Sequence, residues 1–230
     1  MKKIKIQLAL KVIIFFFLIV YGFNGLAQSE ALFKIEYTVI DNKAEERVAD
    51  LPIADKEYLV ELIRERKFTL LINKQNSIYF HGTYAVYRDK NKKRWLKKLS
   101  LNEDPVWIAY DSIPLNWKIT GERQKIGKYT AFKAVGIYRD KPVVAWFTPD
   151  IPLDGGPEFF HGLPGLILAL DWNGRTYTAT KIQSSREKIV PPPDNITPIT
   201  QEEYVRRIKQ QGMIFGGENG SMQIIIKRMD

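Results

Sequence analysis

The feature that most limits the fold is a succession of short runs in which apolar and polar residues alternate, separated by turn-forming residues. Phe33 to Asp41 alternates, Phe68, Leu70 and Ile72 fall on one side of a strand, and Ser77 to Tyr87 continues after a Lys74-Gln75-Asn76 turn. Further runs lie at 105–111, 115–122, 128–138, 142–148, 165–172 and 175–183. A period of two turns one face of each strand toward a core. Trp172-Asn173-Gly174-Arg175 is the sharpest turn, because Asn-Gly suits the two positive-φ positions of a type I′ hairpin. Ile126-Gly127 and Asp140-Lys141 mark two weaker ones. The pattern predicts a mainly β domain: an antiparallel curved sheet or partial barrel.

About two helices are expected to cover that sheet. Tyr58, Leu59, Leu62 and Ile63 make an apolar stripe near 54–66. Thr200-Gln201-Glu202-Glu203 is a capping box, with Ile199 placed to staple onto Tyr204 and Gly212 to end the helix. Between sheet and second helix, Val190-Pro191-Pro192-Pro193-Asp194 predicts a stiff extended link. The segment 190–230 is too small to form its own core, so link, helix and a C-terminal strand are expected to pack back. Residues 28–230 then form one domain.

Residues 1–27 have the form of a secretory signal. Lys2, Lys3, Lys5 and Lys11 form a basic start, Val12 to Tyr21 is an apolar run of ten, and Gly25 and Ala27 precede a cut at Gln28. A membrane span needs about 20 apolar residues, so this run is short for an anchor. Cleavage lowers the formal charge of +9 by four, to +5. That is a statement about solubility more than nucleic-acid binding, and no nucleic-acid partner is expected. The expected location is exported, in the periplasm or at the outer membrane, with surface contact but no span. The sequence has no cysteine, which excludes thiol chemistry, disulfides and a Cys-anchored lipoprotein.

Catalytic constellations are scarce. The two histidines, His81 and His161, stand eighty residues apart, and no nucleophile elbow, metalloprotease helix or phosphate loop is present. No cofactor, metal site or catalytic residue is assigned. Asp150, Asp154 and Glu158 share one loop, but their spacing fits no known cation loop. The cations between Arg88 and Lys98 form a run that ordinarily marks a solvated turn.

The segment Pro149 to Gly165 is different in kind. It carries Pro149, Pro152, Pro157 and Pro164 with Gly155, Gly156, Gly162 and Gly165, and has apolar weight in Ile151, Leu153, Phe159, Phe160 and Leu163. A connection this long inside a domain is functional or tightly packed. Prolines reduce the entropy lost on ordering it. The segment predicts a compact excursion between two strands, received by Leu166-Ile167-Leu168-Ala169-Leu170 as a central strand.

These residues carry a resemblance. Ala145-Trp146-Phe147-Thr148-Pro149-Asp150-Ile151-Pro152, Gly156-Pro157, Phe160 and Gly162-Leu163-Pro164-Gly165-Leu166-Ile167 resemble the signature of the GLPGLI family, whose naming string is matched in full. Trp117-Lys118-Ile119 and Ile126-Gly127-Lys128-Tyr129 resemble the segment that precedes it. Members often carry a cysteine where this chain has Ala131, so no thiol role carries over. The resemblance implies an exported β-rich protein of Bacteroidetes-type bacteria with no established activity, often encoded near outer-membrane transport genes.

Two functions follow as expectations. The first is a non-enzymatic envelope protein that binds an apolar or peptide-like ligand, or an outer-membrane transport partner. Its candidate residues are Trp146, Pro149, Ile151, Pro152, Gly156, Pro157, Phe160, His161, Gly162, Leu163, Pro164 and Gly165. The second is a periplasmic hydrolase using loop carboxylates with His161, which requires Asp150 or Asp154 to converge on that ring. Packing is the competing role for the whole motif.

Overall fold

Alternation becomes a ladder along β1 (Leu32–Asp41), where Ile35, Tyr37, Val39 and Asp41 are buried in turn. A computed structural model describes residues 31–51, 56–101, 104–110, 115–210, 213–216 and 224–227, all within the unit Ala31–Asp230. The expected leader at 1–27 and the helix stop at Gly212 lie outside the described residues.

Among the described residues eleven strands form one sheet in which every neighbouring pair is antiparallel. Its order is β6 (Asp104–Tyr110), β5 (Arg94–Leu101), β4 (Tyr84–Asp89), β3 (Asn76–His81), β2 (Glu65–Ile72), β1, β11 (Arg175–Ser185), β10 (Leu166–Trp172), β9 (Lys141–Thr148), β8 (Tyr129–Tyr138) and β7 (Lys118–Ile126). Two meanders therefore fan outward from the β1–β11 pair. Helices α1 (Ala44–Val48) and α2 (Lys56–Arg64) join β1 to β2 around a small core of Ala44, Val48, Leu51, Val60 and Ile63. Helix α3 (Gln201–Gln210) follows the proline link, and β12 (Met213–Gly216) pairs with β13 (Ile224–Lys227) apart from the main sheet.

The sheet curls. In a flat one, β6 and β8 would stand about 40 Å apart, nine strand spacings away. Yet Arg139, just past β8, donates from Nη2 to the Tyr110 hydroxyl at the end of β6 over 3.4 Å. Phe159 stacks on Tyr110 with ring centres 4.6 Å apart, while its neighbour Phe160 packs edge-on against Tyr138 at 5.1 Å. One loop thus reaches both halves from inside the trough. The single large core is the filling of that trough, from Trp95 and Ile108 on one side to Ala134 and Phe147 on the other.

A buried ion cluster ties the sheet's middle to α1. Asp41 Oδ2 accepts from Arg47 Nε at 2.6 Å and from Arg175 Nε at 2.7 Å. Burial alone would raise the Asp41 carboxyl, but Arg175 and Arg47 hold it below the ordinary carboxylate range. Arg47 also donates to the Asn173 carbonyl at 2.7 Å, fastening α1 to the β10–β11 turn.

Several local expectations need correction. Ser77 to Tyr87 is not one strand: Gly82, at φ +54°, breaks it into β3 and β4. The cationic run at 88–98 is only partly a turn, because β5 begins at Arg94 and continues to Leu101. The turn near 140 is Arg139-Asp140, both at positive φ, since Tyr138 pairs with Lys141. Three helices are present among the described residues, α1 being only five residues long. The strand that receives the loop is β10, while β1 is the central one. The Asn173-Gly174 turn has both residues at positive φ, as expected. The Thr200 hydroxyl caps the Glu203 N–H at 3.1 Å, but Glu203 turns its carboxylate to Arg206 and Arg207 instead of back to the cap.

Candidate functional site

The loop between β9 and β10 lies along the strand it feeds. Leu166 donates to the Ile151 carbonyl and Ile167 to the Gly155 carbonyl, each at 3.0 Å, so the excursion folds back onto the start of β10. Gly165 is required by this return: at φ +153°, a Cβ there would lie 2.1 Å from the Thr148 carbonyl oxygen. Gly156 is buried against Ile167, where a Cβ would come within 2.7 Å of the Ile167 Cβ.

The candidate residues divide into two groups. Ile151, Gly156, Pro157, Phe160, Leu163 and Gly165 are buried, and Ile151, Phe160 and Leu163 belong to the trough core. Pro149, Pro152, Gly162 and Pro164 are exposed on the rim. Trp146 is half-buried: it alternates with the buried Ala145 and Phe147 on β9, packs against the margin of the core, and has the Lys133 ammonium 5.9 Å from its ring.

Trp117 holds the rim down. Its Nε1 donates to the His161 carbonyl at 2.7 Å. The indole lies between two glycines, 3.3 Å from a Cβ placed on Gly136 of β8 and 3.6 Å from one placed on Gly162. Gly162 sits at φ +91°, where a β-branched side chain is a poor fit. The first glycine of the motif therefore serves a turn and the seat of a tryptophan.

The three loop carboxylates diverge. Asp154 accepts from Arg88 Nη2 at 3.0 Å and from the Gly162 N–H at 2.6 Å. Burial would raise its carboxyl, but the Gly162 N–H and the Arg88 guanidinium keep it low. Glu158 turns into the core and accepts from the Tyr84 hydroxyl, while Asp150 is exposed. His161 is partly buried, its ring 5.1 Å from Trp95 and its Nδ1 2.9 Å from the Phe159 carbonyl. Burial first, and then Arg88, lowers its basicity. Among the described residues no group of three or more acidic, His or Cys side chains is placed to hold a metal.

Sequence reasoning missed a polar centre beneath the loop. Lys97 is fully buried, its ammonium 5.3 Å from the Tyr84 ring and 5.9 Å from the Tyr110 ring. Burial pushes it down to about 8, with Glu158 opposing that shift. Glu158 itself stands at φ +54°, an uncommon backbone for a buried non-glycine residue. A signal existed: Trp95, Lys97 and Leu99 share one parity in β5, which puts the lysine on the core side.

Comparison with known proteins agrees with this architecture and goes little further. Residues 135–169 match a family model described as a protein of unknown function (Porph_ging). That stretch covers the end of β8, all of β9, the loop and the start of β10. No curated protein matches the chain. Two solved structures of PNGF-II, in the C2 and P21 space groups, each share 18% identity at a TM-score of 0.58. The likeness covers 83% and 80% of this chain but only 35% and 34% of theirs. At that identity it shows the β-rich fold alone, and this chain spans about a third of the length of those it matches.

Proposed function

We propose that this chain is an exported cell-envelope protein of the GLPGLI type that works by binding, not catalysis. Its partner is an outer-membrane protein or a peptide-like or apolar ligand. The observation that carries this reading is the division of residues 149–165. Their inner half fills the trough, so a ligand on the sheet's inner face would have to displace Phe160 and Leu163. Binding is therefore assigned to the outside, where Pro149, Pro152, Gly162 and Pro164 form a rim. A rim stiffened by proline loses little entropy on contact. The full match of residues 162–167 to the naming string supports the family assignment. The hydrolase alternative has less support, because Asp150, Asp154 and Glu158 point to three different surroundings.

The test is fractionation with N-terminal sequencing, combined with a photo-crosslinking residue at Pro164. The expected result is an envelope-located chain that begins at Gln28 and forms a defined adduct with an envelope component. A cytoplasmic, uncleaved chain would overturn the reading.

A further inference from the structure

We infer that the free edge of β7 is a docking site for an acidic, extended peptide segment, which would add to the sheet as a twelfth strand. This rests on the reading of the chain as a binding protein and names a second surface for it. Strand β7 pairs only with β8 among the described residues, and from Lys118 through Lys125 it is exposed. Its backbone is available at defined positions. Ile126 pairs with Tyr129 across a two-residue turn, the position at which hairpin partners exchange both hydrogen bonds. In the antiparallel alternation, Lys125 and Arg123 then turn their N–H and C=O groups away from β8, toward the open edge. The Gly121 bulge, at φ +84° between Ile119 and Arg123, ends the regular ladder there and confines the docking stretch to the hairpin's turn end.

Charge selects the occupant. The hairpin 118–138 carries Lys118, Arg123, Lys125, Lys128 and Lys133 against one acid, Glu122. Glu122 is already paired with Lys133 at 3.0 Å. A second copy of β7 would set Arg123 and Lys125 beside other cations, so self-pairing is disfavoured. An acidic strand places carboxylates opposite those side chains while its backbone pairs with the outward groups. An anionic membrane would satisfy the charge but leave the backbone groups of Arg123 and Lys125 without a strand, which favours a peptide.

The test uses the purified chain and two capped synthetic peptides, one alternating Asp or Glu with Val and one alternating Lys with Val. Amide exchange and chemical-shift mapping follow the hairpin. The acidic peptide is expected to shift and protect the amides of Arg123 and Lys125, and the lysine peptide to leave them unchanged. Arg123→Glu with Lys125→Glu should weaken binding about tenfold or more. Lys125→Pro removes an outward N–H that the β7–β8 ladder does not use, so this variant should stay folded and also lose binding. Lys125→Ala keeps the N–H and should retain part of the affinity. Equal binding of both peptides, no binding of the acidic one at millimolar concentration, or full binding by Lys125→Pro would each overturn the proposal. So would capture by phosphatidylglycerol vesicles without any acidic-peptide effect, because the charge would then serve a membrane. A negative peptide result leaves the fractionation and Pro164 cross-linking outcomes standing, so the two readings fail separately.

Discussion

The two edges of the sheet are finished in different ways. At β6 the chain covers its own edge. Ile199 donates to the Trp107 carbonyl and accepts from the Ala109 N–H, both at 3.0 Å, as a short parallel bridge, and α3 follows with Tyr204 fully buried. At β7 no such segment lies alongside among the described residues, and the strand carries cations and a glycine bulge. Both are recognised solutions to the hazard of an unpaired edge. The first is built into the core and is permanent. The second repels like strands yet leaves the backbone available to an unlike one. An edge guarded by charge can still be opened by the opposite charge.

The strongest way to break this contrast is to remove the loop on which both halves close. Gly165→Val drives a side chain into the Thr148 carbonyl at a backbone angle unsuited to valine. It should cost about 4 kcal/mol or more and leave little folded protein, with both edges lost together in a urea melt. A folded Gly165→Val chain with a near-normal midpoint would contradict the account of the loop.

Next in size is the covered edge. Tyr204→Ala should cost about 3 kcal/mol through its cavity and expose β6, so aggregation should rise with concentration. Tyr204→Phe is the control. Among the described residues the buried Tyr204 hydroxyl has no hydrogen-bond partner, so its removal should be neutral or stabilising by up to about 1 kcal/mol. If both variants aggregate equally, packing by α3 is not what protects this edge.

A smaller effect separates the halves by pH. Lys97 lies on β5, beside the covered edge, with its ammonium pushed down to about 8 by burial. The unfolded chain keeps that proton to about 10.4. Between those values the unfolded state binds more protons, so stability should rise with pH by up to about 3 kcal/mol. The burial penalty is fully present below pH 8. Buried tyrosines such as Tyr37 and Tyr177, whose hydroxyls burial pushes up, oppose this toward pH 10. The test is therefore the difference between wild type and Lys97→Met: an equal pH dependence of the two urea midpoints from pH 8 to pH 10 would contradict the account.

The smallest expected effect is at the open edge. Lys125→Ala touches an exposed strand and should change stability by about 0.5 kcal/mol or less. A large loss there would mean that β7 is structurally committed and that the two edges are alike after all.

Local rules carried much of the architecture. Alternation located β1 and β9, where one face is buried and a one-residue slip would turn that face to water, while β10 is an apolar run buried on both faces from Leu166 to Leu168. Asn173-Gly174 marked its hairpin because few other pairs accept two positive φ angles. The capping role of Thr200 was also visible. The density of Pro and Gly at 149–165, with five large apolar residues, already indicated a packed loop.

Other features depended on contacts between residues far apart in the chain. Asp140-Lys141 marks a turn in the sequence, but its actual register, Arg139-Asp140 at positive φ, is set by the pairing of Tyr138 with Lys141. By sequence Lys97 is one cation in a run of seven, and the curl of the sheet is what puts Tyr84, Tyr110 and the Glu158 loop around it. Trp117 could not be linked to Gly136 and Gly162 from spacing, because that contact joins a strand's approach to a loop 44 residues away. Steric preference and the period of apolar residues set most strands and the Asn173-Gly174 turn locally. Only tertiary structure decided which motif residues are core and which are rim, and which edge stays open. Those outcomes depend on how eleven strands curl around one loop, a long-range arrangement that no local period encodes.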